Sequence, residues 1–330
     1  MSAIPERRPL GRTGLQVSPL GIGGGAGISS DDVLHAYDQG INYFFFSSDL
    51  HHFLYTHMAA ALRTLCGRGS AERQNVVLAV VTYVTRPEKA MGALFDQFSE
   101  LGIDYVDAFY WGWLGAGDRA VARQLLAVTP HLRGPDAHAA RFVEEAFGVS
   151  ERLRAYGAVR SVGASFHDVT LAAEWAGSPL LDHVMVRHNP AHRGAQRALP
   201  LALPPEGARP GVVTFKSTHG AGVPLWKRPA HAAAEAWVPS PGHLYRYSLS
   251  QPWVDLCLTG PRTRSDIDAA LAAVRLGTLS TYELATLDAY GDALREARAA
   301  APTRASSGTA PLHARSDAPV CPAVPSGIRS

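Results

Sequence analysis

The sequence predicts an α/β fold, a (β/α)8 barrel. Two observations carry this: eight short β-rich runs recur along the chain, and helical patterns lie between most of them. Strands that alternate with helices in this way form a parallel sheet, and eight such units close it into a barrel.

The elements follow in order. "PLGIGG" at 19–24 is the first strand, and "SSDD" after it lets Ser30 or Asp31 cap a helix over 31–39. "INYFFF" at 41–46 is the second strand, followed by a helix over 57–66. "NVVLAVVTYV" at 75–84 precedes a helix over 87–101 that has Pro87 in its first turn. "DYVDAFYW" at 104–111 precedes a helix over 138–156, and "VRSVGAS" at 159–165 one over 168–176. After "LDHVMVRHN" at 181–189 only a short helix fits, interrupted by Pro200, Pro204 and Pro205. "GVVTFK" at 211–216 leads into a long loop punctuated by Gly and Pro and then a helix near 242–250; "WVDLCLTG" at 253–260 and a helix over 264–275 complete the set. Long βα loops on a barrel usually build its site.

Composition narrows the function. With 330 residues, 46% of them hydrophobic, the chain can bury a sizeable core. The 31 basic and 29 acidic residues leave a net charge of +2, which gives no reason to expect nucleic acid or a membrane surface as partner. A small-molecule substrate is expected instead, and nothing in the pattern sets an oligomeric state. "MSAIPERRPLGRTG" has no apolar leader and no later run reaches membrane-span length, so the expected location is cytoplasmic. Cys66, Cys257 and Cys321 are too scattered for a disulfide framework or a CxxC site. From Ala299 onward the sequence is rich in Ser, Pro and Ala without apolar periodicity, which reads as a disordered tail (299–330) behind a barrel domain (1–298).

Six segments carry a resemblance: "RPLGRTGLQVSPLGIGG" at 8–24, "GINYF" at 40–44, "ELGIDYVDAFYW" at 100–111, "GAVRSVGAS" at 157–165, "GVVTFK" at 211–216 and "QPWVDLCLTGPRTRSDID" at 251–268. In order and spacing they resemble the signature segments of the aldo-keto reductases over about residues 8–275. The resemblance implies a TIM barrel plugged at its bottom by an N-terminal β-hairpin, here Leu10 to Leu20. It also implies a site at the C-terminal ends of the strands.

In that family an Asp, Tyr, Lys, His tetrad protonates a carbonyl while NADPH delivers hydride. Carried over position by position, the Asp falls on Phe45, the Tyr on Leu50, the Lys on Val81 and the His on Gly112. None of these can donate a proton or tune a donor. The nicotinamide-holding pair reads Ser165-Phe166, the Gln of strand six falls on Met185, and the closing "EN" reads Ala269-Ala270. Ser165, Lys216, Arg262 and Arg264 remain as candidate cofactor contacts, surface solvation being the alternative for the arginines. "GIGGGAG" at 21–27 matches a dinucleotide fingerprint only loosely. NADPH use of the family's kind is therefore in doubt.

Histidines gather instead at the predicted strand ends: His51 and His52 after strand two, His167 after five, His188 at the end of six and His219 after seven. His51, His52, His188 and His219 are candidate ligands for Fe, Cu or Zn. A metal-free acid/base pocket and simple enrichment in a His-rich chain are the alternatives. Asp49 either completes a ligand set or caps a turn. Phe45 is expected to point inward and, with Leu50, Val81 and Trp111 or Trp113, to make an apolar floor. Three readings result: an oxidoreductase with a His-held metal, an inactive relative that binds a ligand or partner, and an NADPH-dependent reductase with an unorthodox donor such as Tyr55. Tyr55, His188 and Lys216 are the candidate catalytic residues.

Overall fold

The computed structural model describes residues 6–49, 52–83, 86–112, 135–220, 222–228 and 235–300, the side chains of 135–144 excepted. Leu50, His51, Trp113 and residues 301–330 of the expected tail lie outside the described residues.

The eight predicted strands are present. They are β3 (Leu20–Gly23), β4 (Tyr43–Ser47), β5 (Val77–Thr82), β6 (Val106–Trp111), β7 (Val159–Phe166), β8 (His183–Arg187), β9 (Gly211–Phe215) and β12 (Leu256–Thr259). All neighbours pair in parallel and the ring closes through β12 with β3 and β9. Burial on both faces explains their near-continuous apolar sequences. Register fixes which residues fill the interior: Tyr43 lies beside Val77, Phe45 beside Ala79, and Val81 beside Tyr110. The Tyr43 hydroxyl donates to the Tyr110 hydroxyl across the barrel at 2.9 Å, and the Tyr110 ring packs on His183 at 4.2 Å between centroids.

The expected plug is present. β1 (Arg8–Pro9) pairs antiparallel with β2 (Gln16–Val17), burying Leu10, Leu15 and Val17. The Arg12 guanidinium donates to the carbonyls of Ser178, Leu181 and Ala208, which precede β8 and β9 and so belong to the bottom of the barrel. Gly11 takes a positive φ of 48° there, and a Cβ on it would meet the Gly211 nitrogen at 2.1 Å.

Nine α-helices are described: α1 (Ser30–Asp38), α2 (Ala59–Cys66), α3 (Pro87–Leu101), α4 (Pro135–Ala155), α5 (Val169–Ala176), α6 (Gly194–Ala202), α7 (Pro241–Leu249), α8 (Arg264–Val274) and α9 (Thr281–Ala300). The α1 cap is Ser29, whose side chain accepts from Asp32 N, rather than Ser30 or Asp31. α6 runs two residues past Pro200, near its end where few backbone bonds remain to lose. α9 was not anticipated. It is nucleated by Ser280 and Glu283, which bond each other's backbone N–H, and it packs Leu287 and Leu294 onto Leu244 and Tyr247 of α7 in a second small core. A short hairpin, β10 (His219–Gly220) with β11 (Val223–Pro224), stands in the loop after β9. Among the described residues no helix is long and apolar enough to cross a membrane.

Candidate functional site

The C-terminal ends of β4, β5 and β6 form an aromatic floor. Phe45 points inward, as alternation requires, and meets Tyr110 and Tyr55 edge-on at 6.1 and 6.0 Å. Val81 is wholly buried. Trp111 is not part of this floor. Its inward neighbour is Tyr110, so Trp111 faces the other way and its indole N–H donates to Ser150 on α4 at 2.9 Å. Over Gly112, where a Cβ would come 2.2 Å from Tyr83 Cδ1, lies the Tyr83 ring. The Asp49 carboxylate accepts from the Thr82 hydroxyl and from Tyr83 N at 2.5 and 2.6 Å, clamping the end of β4 to the end of β5. These partners belong to the end of β5 and not to the turn that Asp49 was expected to cap.

Tyr55 lies above this floor against the turn at Gly24. Burial alone pushes its phenol up to about 12. The Tyr83 phenol is also raised, first by burial and then by Tyr55 and Asp49.

The candidate metal ligands occupy separate surroundings. His52 pairs with Glu100 at 2.7 Å and rests edge-on against Phe46. His188 is fully buried, stacked on Tyr247 at 5.2 Å and edge-on to Trp253, with Nδ1 3.1 Å from the Ser248 hydroxyl. His183, Met185 and Arg187 take the inward positions of β8, so the residue after Arg187 turns outward, onto α7. Burial drives the His188 pKa down to about 4. His219 is exposed on β10. Among the described residues no three His, Cys, Asp or Glu side chains form a group able to hold a metal. The expected centre, His188 and His219 with one of His51 and His52, is therefore not assembled among the described residues, because strand alternation sends His188 away from the mouth; His51 lies outside them.

What the mouth holds instead is a basic cleft of about 990 Å³ over the ends of β7, β8 and β9. His167, Arg187 and Lys216 reach it from those strand ends, Arg193 and Arg197 from the start of α6, and Arg295 and Arg298 from α9. His192 and His219 also line it. The Arg187 guanidinium donates to His167 Nδ1 at 3.1 Å and His192 Nε2 at 3.3 Å. Burial first, then Arg187, Arg295, Arg298 and Lys216, lower the His192 pKa to about 4. His219 is lowered by burial and then by Lys216 and Arg187.

Of the candidate cofactor contacts, Lys216 lines the cleft. Ser165 is buried in β7 beside Met185, whereas Arg264 reaches Asp32 at 3.5 Å and the Arg262 backbone is held by the Asp266 carboxylate. Arg262 and Arg264 do not line the cleft that Lys216 lines. Sequence reasoning missed Tyr83, Arg187, Arg193, Arg197, Arg295 and Arg298. The i,i+3 spacing of Arg295 and Arg298 and the density of Arg and His over 187–197 were the available signals.

No protein-family profile matches the chain. No curated protein matches it either. Solved structures do. Aldo-keto reductase AKR11C1 of Bacillus halodurans, in its holo form, is 19% identical over 88% of this chain and 96% of its own, with a TM-score of 0.62. The thermostable aldo-keto reductase Tm1743, solved with the inhibitor epalrestat, is 16% identical over 86% and 99%, with a TM-score of 0.60. The Pseudomonas aeruginosa protein PA4992 is 18% identical over 82% and 96%, with a TM-score of 0.56. At such identities the likeness is one of fold, and the fold of this chain is that of the aldo-keto reductases.

Proposed function

We propose that this chain is a small-molecule oxidoreductase on an aldo-keto reductase barrel that does not carry out tetrad-based, NADPH-linked carbonyl reduction. Kinship of fold supports the enzyme class. The observation that carries the departure is the packing of the floor: Phe45 fills the interior against Tyr110, Val81 is buried, and Tyr83 covers Gly112. Among the described residues the floor under a carbonyl oxygen is aromatic and aliphatic carbon, with no lysine beside a phenol.

Tyr55 does not replace the missing donor. A general acid works best when its pKa lies near the working pH, and a phenol raised to about 12 by burial holds its proton too firmly. A transition-metal centre is also not the reading we favour, because among the described residues no three His, Cys, Asp or Glu side chains form a group able to hold one. A second reading, a barrel that binds its ligand without turnover, is favoured by the concentration of binding groups at the mouth beside a chemically quiet floor. Steady-state NADPH consumption against a panel of aldehydes and ketones tests the proposal. No protein-dependent consumption is expected, and turnover abolished by Tyr55→Phe would overturn it.

A further inference from the structure

We infer that the groove between the start of α7 and the first turns of α9 holds a proline-rich segment of this same chain, residues 319–325, as a polyproline II helix. This docking is independent of any turnover at the barrel mouth.

The groove has the walls that such a segment needs. It encloses about 440 Å³ and is lined by Trp237, His243, Tyr282, Glu283, Thr286 and Leu287. Trp237, ahead of α7, is 49% exposed, and Tyr282, in the first turn of α9, is 81% exposed. Trp237 is nonetheless held in place, edge-on to Tyr290 at 6.0 Å and to His243 at 5.9 Å. His243 is fixed in turn by Ser240, whose backbone N–H donates to its Nδ1 at 3.2 Å. Buried Leu287 supplies an apolar floor. Rings ordered in this way yet open to water mark a surface that meets a partner. Charge is not what the groove offers, because Glu283, the one carboxylate in its lining, already bonds the Ser280 hydroxyl and pairs with Arg246.

The occupant is written in the sequence. "PVCPAVP" at 319–325 places Pro319, Pro322 and Pro325 three residues apart, and no other three of the 23 prolines repeat at this spacing. A polyproline II helix has three residues per turn, so the three rings line up along one face. Its carbonyls make no bonds within the helix and accept from donors such as an indole N–H or a phenol O–H. Aromatic-lined grooves recognise segments of this kind, whose pre-set backbone has little entropy left to lose on binding.

Reach favours the chain's own segment over any other source. α9 begins at the groove, and the chain continues from Ala300 at its far end. Tyr282 to Ala300 spans about 27 Å at about 1.5 Å per helical residue. Residues 301–319 can extend to about 59 Å at about 3.1 Å each, so the segment can double back along α9 with slack. A tether of this kind gives an effective concentration on the order of 1 mM at the groove, which a second copy or a separate protein must outcompete.

Paramagnetic relaxation in the full chain tests the assignment. A nitroxide on Cys321 is selective, since Cys66 and Cys257 are buried and burial pushes their thiols up to about 12 and about 11. The reporter is the Trp237 indole N–H signal, assigned with Trp237→Phe. Against the same sample with its nitroxide reduced, this signal is expected to fall at least about 3-fold, as a mostly formed tethered contact requires. The loss should disappear in Pro319→Ala/Pro322→Ala/Pro325→Ala and in Tyr282→Ala. A second probe, Ser326→Cys with Cys321→Ser, puts the label outside the proline run and should give the same result, so a label that itself blocks docking does not hide it. An unweakened Trp237 signal with both probes would overturn the inference, and so would weakening that survives the proline substitutions. Equal weakening when nitroxide-bearing chains are mixed with isotope-labelled chains that carry no nitroxide would overturn it in favour of a second copy's segment.

Discussion

The ring of Tyr83 occupies the space that a side chain at position 112 would need: a Cβ on Gly112 would stand 2.2 Å from Tyr83 Cδ1 and 2.8 Å from the Thr82 carbonyl oxygen. One of these neighbours is a ring that can turn, and the other is backbone that cannot. Gly112→His should therefore lose about 1–3 kcal/mol of stability rather than supply a working imidazole. Thermal melts check this, and adding Tyr83→Ala should recover only part of the loss, since the backbone contact remains.

The bottom of the barrel makes a second prediction. Arg12 ties the plugging hairpin to three carbonyls, so Arg12→Ala should cost about 2 kcal/mol. Urea unfolding would show the midpoint moving down. A midpoint equal to that of wild type would mean the hairpin is held by Leu10, Leu15 and Val17 alone.

Stability should also fall in mild acid. His183 and His188 are fully buried, and burial lowers the pKa of each to about 4, below the ordinary imidazole value of about 6.5. Between these values the unfolded chain binds protons that the folded chain refuses. This part of the stability is thus complete above pH ~6.5 and is lost as pH falls toward ~4, about 2 kcal/mol per imidazole by pH ~5. Urea unfolding at neutral and mildly acidic pH measures the slope, and His188→Gln should flatten it. An unchanged slope in that variant would remove His188 from the explanation.

Elemental analysis of protein made without a histidine tag should find no stoichiometric Fe, Cu or Zn, and His188→Ala and His219→Ala should not change the content. A full equivalent of metal, lost in both variants, would mean that the two histidines meet in solution in a way their present surroundings forbid.

Much of the barrel was legible in the sequence, since eight apolar runs with helical patterns between them leave few other ways to bury both faces of the strands. Element ends were less so. Ser29, Ser30, Asp31 and Asp32 can all cap a helix, and which one does depends on where the chain leaves β3. α9 was missed although Ser280 and Glu283 spell out a helix start, because the polar sequence after Ala299 overshadowed it. The outward turn of His188 is readable from alternation along β8, which puts it on the opposite side of the strand from Arg187. The basic cleft had only scattered signals, the Arg and His over 187–197 and the Arg295 and Arg298 pair, and only the closed barrel brings these together with 167 and 216–219.

The central claim, that this barrel does not transfer hydride from NADPH to a carbonyl, is tested most directly in a single turnover. Protein in excess over deuterium-labelled NADPH is held with an aldehyde panel, and the alcohols are analysed by mass spectrometry for the label. The account predicts no labelled alcohol above the protein-free control. Labelled alcohol formed in proportion to protein, and lost in Tyr55→Phe, would contradict it and show that the buried phenol above Phe45 still donates its proton.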